Sequence, residues 1–140
     1  MHVGKEIEKV ESIVKMSKEG VDKSEIITLH YKNDITVNLI HSVYSRGERR
    51  GVFYGDKGYL VIENINNPNA IRVYDTNDNL IKDIEVPSQI TGYEYEVLEC
   101  IKCINEGRIE PYSMPLSETI EVMEMMDQLR KTWKMKYPFE

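Results

Sequence analysis

Two cysteines three residues apart, Cys100 and Cys103, have the spacing that most resembles a reactive motif in this chain. A redox pair of this spacing normally lies at a helix N-terminus, where the helix dipole lowers the thiol pKa. Here the pair falls in the middle of a predicted helix. Zinc would need two further ligands, and His2, His30 and His41 do not form a ligand pair at a conventional spacing. The pattern therefore favours half-buried cysteines on a helix flank.

Two of the histidines and a basic cluster are the next candidates for chemistry. His30 and His41 lie on predicted strands and could act as general bases by type, but spacing identifies neither a nucleophile nor a carboxylate partner for them. Arg46, Arg49 and Arg50 could contact a phosphate or a carboxylate substrate, since guanidinium groups suit both. A solvated hairpin connection explains the arginines equally simply.

The remaining patterns argue against standard sites. Met123, Met125 and Met126 are typical of core filler, and the nine tyrosines are assigned to strands and helices with no stacking motif. Neither Gly-x-Gly-x-x-Gly nor Gly-x4-Gly-Lys-Ser/Thr occurs, so neither standard nucleotide-phosphate loop is present. The residues alone thus assign no catalytic, cofactor-binding or metal-binding position.

Composition limits the class of protein. The 140 residues predict one domain, 1–140, and the 41% hydrophobic content is ordinary for a globular protein. A net charge of −6 argues against nucleic-acid and anionic membrane partners. The start of the chain lacks the pattern of a signal peptide, and the two cysteines give no disulfide framework. We therefore expect a cytoplasmic protein.

Strand signals fill the chain from residue 23 to residue 86. Residues 23–43 alternate apolar and polar around the turn residues 32–34, which predicts a hairpin. Further strands are predicted at Val52–Tyr54, Tyr59–Ile62, around Ile71 and Val73, and from Leu80 to Val86. Short turns join them, so the pairing should be mainly antiparallel.

The segment of residues 6–16 supports two interpretations. Ile7, Val10, Ile13 and Val14 have helical spacing, whereas alternate residues from Val10 to Met16 are typical of a strand. Periodicity by itself favours the helix.

Two amphipathic helices close the chain. The first is predicted from about Tyr93 to Glu106 and ends at Gly107. The second starts near Pro115 and carries a stripe of six apolar residues: Leu116, Ile120, Met123, Met126, Leu129 and Trp133. The predicted fold is α+β, an open, mainly antiparallel sheet with two C-terminal helices packed on one face.

Three segments in this order resemble one protein family: residues 55–63, 92–100 and 114–127, completed by the tail 129–133 with Tyr137 and Pro138. Together they resemble the C-terminal half of the Gfo/Idh/MocA oxidoreductases, closest to members similar to the dihydrodiol dehydrogenases. The resemblance extends from Gly4 to the end and favours a strand for residues 6–16, which we adopt.

The resemblance implies a substrate-binding and oligomerisation domain. Enzymes of this family pair an N-terminal Rossmann domain, which binds NAD or NADP, with an open sheet that shapes the substrate pocket and forms dimers or tetramers. This sequence lacks the glycine-rich fingerprint and the segments with the catalytic lysine and the usual histidine, so no catalytic residue transfers to it. We expect no cofactor on this chain alone, and either an excised domain or a truncated gene product.

Three functions follow, in order of preference. The first is the C-terminal part of an NAD(P)-dependent oxidoreductase with a sugar, polyol or dihydrodiol type substrate, inactive alone and self-associating through its exposed sheet face. The second is a stand-alone, non-enzymatic sheet module for self-association or partner binding. The third is a thiol redox protein acting through Cys100 and Cys103.

Overall fold

The computed structural model describes residues 6–137 and has the predicted α+β class. The predictions for His2 and Pro138 lie outside the described residues. Seven strands precede two helices: β1 Ile7–Met16, β2 Asp22–Tyr31, β3 Thr36–Ser42, β4 Gly51–Gly55, β5 Gly58–Glu63, β6 Ala70–Tyr74, β7 Leu80–Ile84, α1 Tyr93–Asn105 and α2 Leu116–Trp133. All pairings are antiparallel, and the strands form two open sheets, β1-β2-β3 and β4-β5-β6-β7. The chain divides into two compact units, β1–β3 with α2 and β4–β7 with α1.

The first unit begins with the segment that periodicity left ambiguous. Residues 7–16 form β1, which confirms the strand interpretation. The predicted hairpin of residues 23–43 is also confirmed as β2 and β3. Its turn uses Asp34 at φ 61°, a left-handed conformation that aspartate tolerates better than most residues.

One face of the three-stranded sheet lies against α2. Leu29 on this face is only 4% exposed, and Leu129 of α2 is 8% exposed. The Trp133 indole Nε1–H donates a hydrogen bond of 2.9 Å to Ser12 Oγ on β1. The C-terminal half of α2 therefore anchors the helix, whereas Met123 and Met126 nearer its start are half exposed. The prediction of core filler was wrong for Met123 and Met126, whereas Met125 is partly buried and lines a cavity with Val10 and Ser12 of β1.

The opposite face of this sheet carries an exposed apolar row. Ile13 pairs with Ile26, and Ile26 pairs with Ile40, so the three side chains lie side by side across β1, β2 and β3. Their exposed fractions are 69%, 45% and 78%. We call these three residues the isoleucine row.

In the second unit, β4 and β5 are joined by a turn between Gly55 and Gly58. Gly58 has φ 139°, and a Cβ placed there would lie 2.0 Å from the Tyr74 carbonyl oxygen. Only a glycine at position 58 lets the turn lie this close to the backbone of β6. Val61 in the middle of β5 is buried.

α1 begins after Gly92, which has the left-handed φ of 92°. The Glu94 carboxylate folds back and accepts hydrogen bonds from the backbone N–H groups of Ile90, Thr91 and Gly92. Glu94 thereby satisfies N–H groups that precede the helix and places a negative charge at its positive end. The predicted apolar stripe of α1 nevertheless stays exposed over four residues: Val97, Leu98, Ile101 and Ile104. Within the described residues, no helix is long and apolar enough to span a bilayer.

Candidate functional site

A β-bulge in β2 brings two acidic side chains to one face of the three-stranded sheet. The register with β1 shifts between Ser24 and Asp22, which leaves Lys23 as the extra residue. In a regular strand, residues three apart face opposite sides. The extra residue reverses this for Asp22, whose side chain faces the same side as that of Glu25.

The adjacent strand β3 adds a histidine to the pair. Glu25 lies directly opposite His41 in the β2–β3 register, and His41 Nδ1 is 2.8 Å from Glu25 Oε1. One ligand-type atom from each of Asp22, Glu25 and His41 can be chosen so that the three atoms lie within 4.8 Å of one another. We call these three residues the β2–β3 cluster.

The β2–β3 cluster is closed on one side and open on the other. The Glu25 side chain is 11% exposed, whereas that of His41 is 55% exposed. Glu25 Oε2 is buried and has no hydrogen-bond partner. An orphaned buried oxygen on a carboxylate costs free energy that a bound cation would offset.

A second histidine–glutamate pair lies on the opposite face of the same sheet. His30 Nε2 is 2.8 Å from Glu11 Oε2, and Lys9 Nζ is 2.8 Å from Glu11 Oε1. The Lys9 hydrogen bond, followed by that of His30, lowers the pKa of the Glu11 carboxyl. Both carboxylate oxygens are thus paired, and this set is a surface ion-pair network.

Sequence spacing revealed neither carboxylate partner. Glu25 and His41 are distant in the chain, and the confirmed hairpin brings them together. The strand register of this hairpin was therefore the one signal from which the pair could have been predicted. The position of Asp22 depends on the bulge at Lys23, which no sequence pattern predicts. His30 and His41 do lie on strands, as predicted, but on opposite faces.

The cysteine pair lies within α1, away from the helix N-terminus, as predicted. Cys100 is exposed and Cys103 is buried, and both are free thiols. Arg108 Nη1 donates a hydrogen bond of 3.1 Å to Cys103 Sγ, and its Nε donates one of 2.7 Å to Glu106 Oε2. The buried thiol is therefore part of a polar contact that holds the segment after the helix.

The arginine cluster lies in the exposed connection that follows β3. Arg50 Nε forms an ion pair of 2.8 Å with Glu48. Arg46 and Arg49 are exposed in the same connection. These positions agree with the interpretation that the arginines belong to a solvent-exposed connection between strands.

Three of the nine tyrosines form a cross-strand row that spacing did not reveal, and one pair in it is stacked. Tyr54, Tyr59 and Tyr74 are paired in register across β4, β5 and β6, and the rings of Tyr59 and Tyr74 stack at 5.0 Å and 15°. No sequence motif indicated this pair, because cross-strand register places residues distant in sequence side by side. The assignment of all the tyrosines to strands and helices was wrong for Tyr44 and Tyr112, which lie in loops. The Tyr59 hydroxyl donates a 3.0 Å hydrogen bond to Asp78, which raises the pKa of Tyr59.

Known proteins are similar to the chain over most of its length. It is 25% identical over 119 residues to scyllo-inositol 2-dehydrogenase (NADP(+)) IolU of Bacillus subtilis strain 168, a match that covers 85% of this chain and 36% of that protein. No protein-family model matches the chain.

Two solved structures share the fold. The aldose-aldose oxidoreductase from Caulobacter crescentus, in complex with glycerol, has a TM-score of 0.73 at 17% identity, covering 92% of this chain and 39% of that one. UDP-N-acetylglucosamine 3-dehydrogenase GnnA from Acidithiobacillus ferrooxidans has a TM-score of 0.61 at 15% identity, covering 74% and 33%. The chain thus spans between 33% and 39% of the length of these three proteins. It is distantly similar to the C-terminal part of Gfo/Idh/MocA oxidoreductases.

Proposed function

We propose that this chain is the substrate-binding and oligomerisation part of an NAD(P)-dependent oxidoreductase of the Gfo/Idh/MocA type. The observation that carries the proposal is the match to an NADP(+)-dependent inositol dehydrogenase over 85% of the chain. The α+β fold, shared at a TM-score of 0.73 with an aldose-aldose oxidoreductase, supports the same assignment.

The dinucleotide would be bound by residues outside this sequence. The sequence has no Gly-x-Gly-x-x-Gly fingerprint, which a Rossmann domain uses to hold the pyrophosphate at a helix N-terminus. The chain alone would therefore bind neither NAD nor NADP and would be inactive. Hydride transfer would need the dinucleotide and the substrate to meet between the two parts.

The substrate would be a polyhydroxylated molecule. The three relatives are named for an inositol, an aldose and a nucleotide sugar. A sugar or polyol is thus the class that these names share, and the resemblance to dihydrodiol dehydrogenases adds a dihydrodiol as a separate candidate. The free thiols Cys100 and Cys103 fit a reducing, cytoplasmic compartment.

Self-association would use the outer face of the three-stranded sheet. The isoleucine row leaves three β-branched side chains exposed on adjacent strands, and such apolar patches mark interaction sites. A second copy of the chain would cover the row in a symmetric dimer or in a tetramer.

The exposed row also favours the alternative, a stand-alone module that self-associates without catalysing a reaction. The DNA sequence upstream of Met1 in the native gene distinguishes between these two functions. We expect the reading frame upstream of Met1 to encode a strand, a glycine-rich fingerprint and a helix. An in-frame stop codon directly upstream of Met1, with no such fingerprint in the gene, would favour the stand-alone module.

A further inference from the structure

We propose that Asp22, Glu25 and His41 bind a divalent transition-metal cation. The proposal rests on the geometry of the β2–β3 cluster and is independent of the function proposed above. The cluster joins one imidazole nitrogen and two carboxylates, with the three ligand atoms within 4.8 Å of one another.

No lysine or arginine compensates the charge of the two carboxylates in the cluster, where His41 is the one basic partner among the described residues. Among the residues that the structure describes, no lysine or arginine forms an ion pair with Asp22 or Glu25. Lys23, the residue between them at the bulge, instead places its Nζ 4.3 Å from the centre of the Tyr44 ring. Two neighbouring carboxylates that share only one imidazole, and no lysine or arginine, attract a cation.

The burial of one carboxylate oxygen adds a second reason. Glu25 Oε2 is buried without a hydrogen-bond partner, and the Glu25 side chain is 11% exposed. Glu25 as a whole is only partly buried and its other oxygen is paired with His41, so the unfavourable feature is this single buried oxygen without a donor. A cation bound by the carboxylate of Glu25 would supply the missing partner.

The geometry requires a small movement of side chains only. Ligand atoms around a tetrahedral zinc ion, each about 2.0–2.2 Å from the metal, lie about 3.3–3.6 Å apart. The His41 Nδ1 to Glu25 Oε1 distance of 2.8 Å would lengthen as the ion replaces their hydrogen bond, and Asp22 would move closer. His41 is more than half exposed, so water can complete the coordination.

The ligand set selects the class of ion. Imidazole nitrogen suits zinc, nickel, copper and iron, whereas magnesium and calcium prefer sites made of oxygen ligands alone. One histidine with two carboxylates therefore favours a first-row transition cation over the alkaline-earth ions.

Calorimetric titration of the full chain with Zn²⁺ tests the site, and the chain supplies its own control. His41→Ala and Asp22→Asn should each raise the Kd at least about tenfold, because even residues that only orient a ligand contribute about that much to metal affinity. His30→Ala removes the matched histidine of the opposite face, and Cys100→Ser removes the exposed thiol. Both should leave the Kd unchanged, with circular dichroism confirming the fold of each variant.

Three results would overturn the proposal: no saturable binding, an equal loss in His30→Ala and His41→Ala, or a loss in Cys100→Ser. If the His41 variant does not fold, NMR of the unmodified chain with substoichiometric Mn²⁺ decides the question. Broadening centred on Asp22, Glu25 and His41 supports the site, and broadening centred on His30 or spread uniformly refutes it.

Discussion

The carboxylate of Glu25 and the imidazole of His41 face each other across β2 and β3, with 2.8 Å between Glu25 Oε1 and His41 Nδ1. Only one oxygen of the carboxylate is engaged, since Oε2 is buried without a partner. The matched pair of Glu11 and His30 on the other face has both carboxylate oxygens engaged. One sheet thus carries a completed ion-pair network on one face and an incomplete cluster on the other.

The first prediction concerns the hydrogen bond that ties α2 to β1. Ser12→Ala and Trp133→Phe each remove one partner of the Nε1–Oγ bond. We expect each change to lower the free energy of unfolding by about 0.5–1.5 kcal/mol. The double variant should then show a coupling energy of about 1 kcal/mol between the two positions in urea denaturation. Additive effects would mean that the bond does not stabilise the contact.

The second prediction concerns Gly58 in the β4–β5 turn. Gly58→Ala places a Cβ 2.0 Å from the Tyr74 carbonyl oxygen at φ 139°, so the backbone must shift. We expect the free energy of unfolding to fall by at least about 3 kcal/mol. Gly55→Ala at the other end of the turn is the control, because its Cβ would meet its closest neighbour at 3.6 Å. Equal losses of unfolding free energy in both variants would contradict the close contact between Gly58 and the Tyr74 carbonyl.

The third prediction concerns the pH dependence of stability through Glu94. Hydrogen bonds from its own backbone N–H and from Ile90 lower the pKa of this carboxyl from 4.5 to about 2. Because the folded-state pKa is depressed, the stabilisation is complete above pH 4.5 and is lost as the pH falls toward about 2. Glu94→Gln should therefore lower the Tm by a few degrees at neutral pH and by progressively less below pH 4.5.

Glu96 offers the matched control for this measurement. It lies in the same first turn of α1 but does not accept the hydrogen bonds of Ile90, Thr91 and Gly92. Thermal unfolding of Glu96→Gln should follow the unmodified chain across the pH range. A parallel loss in both variants would show that charge near the helix N-terminus, rather than the hydrogen bonds of Glu94, sets the pH dependence.

The sequence predicted the elements of the fold well, because their signals are local. Alternation identified the β2–β3 hairpin, and Gly107 marked the end of α1. Contacts between strands were predicted poorly, since the bulge at Lys23 and the cross-strand row of Tyr54, Tyr59 and Tyr74 depend on register. A shift of one residue in register moves a side chain to the other face of a sheet. The resemblance to a family, rather than periodicity, gave the correct strand for residues 7–16.

The fourth prediction concerns self-association through the isoleucine row. Ile40→Lys places a charge on the most exposed member of the row, and burying an unpaired charge in an interface is costly. We expect the dimer Kd, measured by sedimentation equilibrium, to rise at least about tenfold. Asn77→Lys adds the same charge in an exposed turn of the other unit and should leave the Kd unchanged. Dimers of unchanged affinity in the Ile40 variant would place the interface elsewhere.

The most direct test of the proposed function is calorimetric titration of the chain with NADP⁺, NADPH, NAD⁺ and NADH. The function proposed above assigns the dinucleotide site to residues outside this sequence, so we predict no saturable heat with any of the four. Saturable one-to-one binding of a dinucleotide at micromolar Kd would contradict this assignment.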